Sequence, residues 1–280
     1  MITTTSSRMS VIGRVLLYAL LLVVLVITFL PFYWMILSSL RLTGDIFSGR
    51  ASFLPARLTW ENYPALLQST GFLRWAANSL IISVGGTGLG VLLSSMAGFA
   101  FAKYEFRGKN LLFALILGSV SIPSLVTLIP VFILMTKLGW INTYRALILP
   151  ASVNAFGVFF MRRFIAGIPD ELLDAGRIDG CSEFQLYYKI LFPMMRPGLG
   201  ALGIFLFLGN WQDYLWPLIM TKSEKMSTLP LGIATLYANQ FQIDYGVIMA
   251  GAFLATVPII ILFVFLQNQF VAGLTQGMGK

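Results

Sequence analysis

Apolar positions run through this sequence in six long stretches, and polar positions collect between them. The apolar runs cover about 15–37, 78–102, 111–135, 145–161, 198–220 and 246–270. A helix rises about 1.5 Å per residue, and the hydrocarbon core of a bilayer is about 30 Å thick, so most of these runs are long enough to cross it. A chain in lipid must satisfy its own backbone hydrogen bonds. The pattern therefore predicts an all-α, polytopic membrane protein with six transmembrane helices. The first run is longer than the apolar region of a signal peptide and lacks a small-residue cleavage site, so it is expected to be retained.

Residues within the runs add detail. Pro31, Phe32, Tyr33 and Trp34 mark the far interface of the first. The second carries Gly85, Gly86, Gly88, Gly90, Ser94, Ser95 and Gly98. Small residues at four-residue spacing predict close helix packing, with pore lining as the alternative. Pro123 and Pro130 interrupt the third run and Pro150 the fourth, which predicts kinks there. Residues 59–67 have the pattern of a short amphipathic helix on the outer surface, or of an ordinary loop. Residues 221–245 are expected to form a polar loop.

Composition narrows the class. Of the 280 residues, 58% are hydrophobic and 11% charged, against about 25% charged in a soluble domain. The net charge of +8 comes from basic residues that flank apolar runs, so it reports topology rather than nucleic-acid binding. Placing Arg8, Arg14, Lys103, Arg107, Lys109, Arg162, Arg163, Arg177, Lys189, Arg196 and Lys280 on the cytoplasmic side puts most of the 19 basic residues there. Both termini are then cytoplasmic. The sequence has no His and one Cys, Cys181. An imidazole base or ligand, an internal disulfide and a multi-cysteine metal site are all excluded. The glycines at 85–90 lack the Lys-Ser/Thr ending of a P-loop, so they do not form a nucleotide site.

The interval between the fourth and fifth runs includes 168–197, IPDELLDAGRIDGCSEFQLYYKILFPMMRP. Pro169 suits the first position of a helix, and Glu171 and Asp174 complement the positive end of its dipole. Gly180 suits the left-handed residue that stops it. Ser182 and Gln185 have the spacing of a capping box, which starts a second helix at once. Pro193 and Pro197 end or kink that helix. By pattern alone, this helix–Gly–helix element serves equally as a surface hairpin without a partner.

The order of residues is more specific. Asp174-Ala175-Gly176, three residues, Gly180, nine residues, Ile190 and then Pro193 resembles the EAA signature of ABC-importer permeases. The sequence is closest to the carbohydrate-uptake, maltose-transporter type, and to its second permease subunit. Asn78-Ser79-Leu80, the 100–109 run AFAKYEFRGK, Leu138 to Thr143, Trp211 to Leu218 and Gly273-Leu274-Thr275 share that likeness. Three positions depart from the pattern: Asp174 replaces Glu, Gly176 replaces Ala and Phe192 replaces Leu. Glycine costs about 1 kcal/mol of helix propensity relative to alanine, so Gly176 marks either a looser helix or a closer packing.

The resemblance implies one transmembrane domain over 1–280 with a cytoplasmic coupling loop at 168–197. It implies a heterodimer with a second permease, two ATPase subunits below and an extracytoplasmic solute-binding protein, in a prokaryotic inner membrane. ATP and magnesium belong to the ATPases, with no cofactor in this chain. Glu171, Asp174, Ala175, Gly176, Arg177, Asp179 and Gly180 are the implied ATPase-coupling residues. Leu172, Leu173, Ala175 and Ile178 are expected to give apolar contact to the ATPase.

Asn210, Gln212 and Asp213 form a second candidate, near the outer end of the fifth run. An ionisable group at membrane depth marks a substrate pathway. Alternatively, Asp213 sits at the interface in an aromatic belt with Trp211, Tyr214 and Trp216. A stand-alone secondary transporter would need carboxylates deep in the membrane, and Asp213 is the only acid within any run. A membrane-embedded enzyme lacks clustered acids and His. The cargo implied is a sugar, oligosaccharide or polyol, with a glycerol phosphate-type solute as the alternative.

Overall fold

The computed structural model describes residues 11–47, 57–238 and 243–278. Arg8 and Lys280, counted above for orientation, lie outside them, as does part of the 221–245 interval. The described residues are helical, with no strand. The longer elements are α1 (Val11–Ser39), α2 (Asn62–Ser69), α3 (Phe72–Lys103), α4 (Lys109–Val120), α5 (Ser124–Lys137), α6 (Tyr144–Ser152) and α7 (Ala155–Ala166). They continue with α8 (Glu171–Ile178), α9 (Glu183–Met194), α10 (Arg196–Gln212), α11 (Leu215–Met220), α12 (Leu229–Ala238) and α13 (Tyr245–Met278). By length and composition α1, α3 and the 245–267 part of α13 can each cross a membrane alone. Three bent helix pairs raise the number of possible spans to six.

The chain divides into two compact units. The first holds α1, α2 and the start of α13. Every residue from Val15 to Tyr33 is exposed, as suits a helix apolar on all sides and bathed in lipid. Helix α2 is more than a surface helix. Asn62 is buried, and its Nδ2 donates to the carbonyls of Ser39 and Arg41, each at 2.8 Å. Tyr63 Oη and Ser39 Oγ lie 2.8 Å apart. Those bonds dock α2 on the chain that leaves α1.

The second unit is built on α3, which packs against α6, α7 and α10. Its small residues sit at the contacts. A Cβ on Gly98 would stand 2.7 Å from that of Met161, and one on Gly90 3.0 Å from Leu206 Cδ1. Helix packing is thus what these positions do. One apolar core joins Phe99, Met161, Ile165, Leu173, Leu186, Leu191 and Met195 near the end of α3. Asn78 is fully buried. It donates to the carbonyls of Lys225 and Ser227 at 2.9 and 2.8 Å and accepts from Tyr144 Oη at 2.7 Å.

Three expected spans are not single straight helices. The third breaks after Val120, where α4 and α5 meet at 103°; Pro123 immediately precedes α5. The fourth bends by 42° between α6 and α7, with Pro150 in the last turn of α6 and Asn154 capping α7 through the amide of Gly157 at 2.8 Å. The fifth ends as a helix at Gln212 and resumes at Leu215. The 221–245 interval is also not all loop, since it contains α12. There, Gly232 leaves room for the Trp75 ring.

Candidate functional site

The 168–197 element folds as two short helices about Gly180, and each end is closed by local chemistry. Gly180 has φ +80°. Its amide donates to the Arg177 carbonyl at 3.0 Å, and the Cys181 amide to the Gly176 carbonyl at 2.9 Å. That pair of bonds is a Schellman closure with glycine in the left-handed position. Ser182 then caps α9: its amide donates to Gln185 Oε1 at 2.9 Å, and the Gln185 amide reaches Ser182 Oγ at 3.4 Å. Helix α9 widens to π geometry over Leu186–Leu191. Pro193 follows, lacking an N–H and crowding the carbonyl four residues back, and the wider turn relieves that conflict.

The helical period sorts the expected coupling residues into two groups. Leu173 and Gly176 face inward and are buried. A Cβ on Gly176 would stand 2.5 Å from Ile190 Cδ1 and 2.6 Å from Leu186 Cδ2. Glycine is therefore where α8 lies directly on α9, which is the closer packing and not a looser helix. Leu173 was expected to meet a partner subunit. At 1% exposure it belongs instead to this chain's own core. Glu171, Asp174, Ala175, Arg177, Asp179 and Gly180 remain exposed. Apolar side chains share that surface. Ile178 is 86% exposed, Phe184 71% and Leu172 41%. Phe184 stands outside the expected coupling residues, although its apolar character beside Glu183 is plain in the sequence.

Charged groups tie this element to the end of α3. Lys103 Nζ donates to Asp170 Oδ1 at 2.6 Å and to the Ile168 carbonyl. Arg177 pairs with Asp174 at 2.8 Å and with Glu183 at 3.3 Å. Tyr104 Oη donates to Glu183 Oε2. Burial first, then the Glu183 carboxylate, pushes the Tyr104 phenol up to about 12. The same bond, helped by Arg177, lowers Glu183 below the usual carboxylate range. Its bonds to Glu183 and Asp174 raise Arg177. Inside, Tyr187 Oη meets Ser95 Oγ at 2.7 Å. The contacts of Lys103, Tyr104 and Ser95 with this element join residues 65 to 92 positions apart in the chain, so no local pattern announces them.

The second candidate is divided by the structure. Asn210 packs on Gly86 of α3 and donates to Thr87 Oγ1 at 3.3 Å, while Gln212 is exposed. Asp213 lies in the break between α10 and α11, where its Oδ1 accepts from the Trp216 amide at 3.3 Å. It also lines a cavity with Ser124, Thr127, Pro150, Val153 and Trp216. The aromatic-belt alternative fails for Trp211. That ring is 4% exposed, stacks on Phe207, and donates to the Ala255 carbonyl at 3.0 Å.

A helical, multi-pass membrane protein with broken spans and a tethered helix–Gly–helix element has the architecture of an ABC-importer permease. Residues 90–276 match the binding-protein-dependent transport system inner membrane components, and the chain belongs to that family. It is 42% identical over 253 residues to the arabinooligosaccharides transport system permease protein AraQ of Halalkalibacterium halodurans, covering 88% of this chain and 89% of that one. It is 32% identical over 274 residues to the lactose transport system permease protein LacG of Rhizobium radiobacter, covering 98% of each. Its fold matches a chain of a bacterial ABC transporter that imports the acidic polysaccharide alginate, with a TM-score of 0.83 over 94% of this chain and 99% of that one. Identity there is 21%, so that likeness concerns the fold. Family membership replaces the stand-alone secondary transporter and the membrane-embedded enzyme.

Proposed function

We propose that this chain is one of two permease subunits of an ATP-driven sugar importer in a prokaryotic inner membrane, with both termini cytoplasmic. A solute-binding protein outside delivers the cargo. Two ATPase subunits inside bind ATP and magnesium and carry out hydrolysis. Residues 168–197 are the coupling loop of a single transmembrane domain, and α8 docks in an ATPase cleft. One observation carries this reading: α8 and the start of α9 turn Ile178, Phe184, Glu171 and Asp179 outward while their inner faces are fixed to the end of α3. Such an element passes a rigid-body push from a closing ATPase into α3, the helix on which the second unit is built. An oligosaccharide cargo is supported by the sugars that name the AraQ and LacG relatives.

The test is reconstitution. The chain is co-expressed with a candidate partner permease and ATPase, purified, and placed in proteoliposomes with a candidate solute-binding protein. Co-purification and ATP-dependent sugar uptake are expected. Ile178→Asp alters an exposed side chain, so the permease should still enter the membrane but lose the ATPase. Uptake by the lone chain without ATP, or an Ile178→Asp complex of normal composition, overturns the proposal.

A further inference from the structure

Three helix breaks of the second unit converge on one cavity of about 450 Å³, within the roughly 300–1,000 Å³ range of small-ligand sites. Ser124 and Thr127 reach it from the first turn of α5, just past the 103° bend, and Val153 from the bend between α6 and α7. Asp213 and Trp216 reach it from the break between α10 and α11. Irregular backbone at membrane depth is tolerated where it lines a cavity, and such breaks are where transporters place their ligands. Asp213 lies about 26 Å along α10 from its cytoplasmic start, so the cavity is toward the side from which cargo arrives.

The lining has a definite chemistry. Among the described residues that line it, Asp213 is the only charged one. A carboxylate has about four acceptor positions. The Trp216 amide takes one, leaving others for donors from a ligand. Thr127 gives its own hydroxyl proton to the Ser124 carbonyl at 3.0 Å, so its lone pairs also accept. The Trp216 ring is fixed by its indole N–H, which donates to the Ala146 carbonyl at 2.9 Å.

We propose that this cavity is a subsite for one unit of an uncharged sugar, whose hydroxyls donate to Asp213 and Thr127 and whose apolar ring face lies on Trp216. The subsite rests on the reading of the chain as a sugar permease, and it narrows the cargo. A carboxylate facing a uronate or a phosphate across the cavity is a like-charge contact that weakens binding. The glycerol phosphate-type alternative is thereby disfavoured, and so is an acidic glycan.

The test uses the assembled importer in proteoliposomes with its binding protein and measures uptake of arabinotriose, lactose and glycerol 3-phosphate. Asp213→Asn keeps the acceptor that caps α11, and Thr127→Val keeps the side-chain volume. Each should raise the KM for the neutral sugar about tenfold or more, as expected for a lost hydrogen bond to a charged or buried acceptor. Uptake is normalised to the amount of assembled complex. Neutral-sugar uptake within twofold of wild type in both variants overturns the subsite and leaves the sugar-importer reading standing. A wild-type complex that imports glycerol 3-phosphate, or neither neutral sugar, overturns both.

Discussion

Lys103 Nζ lies 2.6 Å from Asp170 Oδ1, and the two side chains differ sharply in exposure, 4% against 72%. The lysine is a buried post at the end of α3, and the aspartate is a surface group. Their removal should therefore have unequal consequences. Lys103→Met also strips the Ile168 carbonyl of its donor, and should cost about 1–3 kcal/mol. Asp170→Asn weakens an exposed pair and should cost less than about 1 kcal/mol. Thermal melts of the purified complex rank the two. An Asp170→Asn loss equal to or larger than that of Lys103→Met would contradict the anchoring role assigned to Lys103.

Gly176 makes a second ranking. A methyl group at this position meets the ends of Ile190 and Leu186, against a helix-propensity gain of about 1 kcal/mol for alanine. Overpacking costs about 1–3 kcal/mol, so Gly176→Ala should be slightly destabilising and Gly176→Val clearly so. Ile190→Ala opens the space the new side chain needs. The Gly176→Val, Ile190→Ala double variant should then be more stable than the two single changes add up to. Strict additivity in denaturation of the complex would show that α8 and α9 do not touch here.

Much of this arrangement is written locally. Gly180, Ser182 with Gln185 and the prolines announce the two helices and their ends, because capping needs only neighbours in sequence. The six apolar runs announce the membrane class. The inward turn of Leu173 is another matter. A leucine on an amphipathic helix is equally suited to a partner and to its own core, and only the position of α9 decides. The breaks at 121–123 and 213–214 follow the same logic: Pro123 is visible, but Asp213 becomes a helix cap only when Leu215 turns the chain back into a helix. Asn78 stood out as a familial residue, yet its three bonds reach segments 66 to 149 residues away.

Gly180 tests backbone against side chain. Its φ of +80° lies in the left-handed region, and a Cβ there would meet nothing within 4 Å. Any penalty therefore comes from the backbone alone. Asn enters this region readily and a β-branched residue does not, at a difference of about 1–2 kcal/mol. Gly180→Asn should keep most sugar uptake. Gly180→Val should abolish it while the chain still assembles in the membrane. Equal uptake in both variants would remove Gly180 from the mechanism.

The Tyr104–Glu183–Arg177 cluster sets a pH window. Glu183 is held below its ordinary value of 4.5 by the Tyr104 hydroxyl and then by Arg177. Its contribution is present above that value and is lost as pH falls through the lowered one. Tyr104 is raised from 10.0 to about 12 by burial and by Glu183. Its contribution is complete below pH 10.0 and is lost as pH rises towards 12. The tie is thus intact from about pH 5 to about pH 10, and should impose no pH dependence on coupling in that interval. Subtracting the phenolate absorbance titration of Tyr104→Phe from that of the parent isolates one group. That group should ionise near 12. In a Glu183→Gln background its midpoint should move down but stay above 10.0, because burial is the larger cause and remains. A difference curve centred at 10.0 in the parent would mean that Tyr104 is neither buried nor bonded to Glu183, and the link from the coupling loop to α3 would then rest on Lys103 and Tyr187.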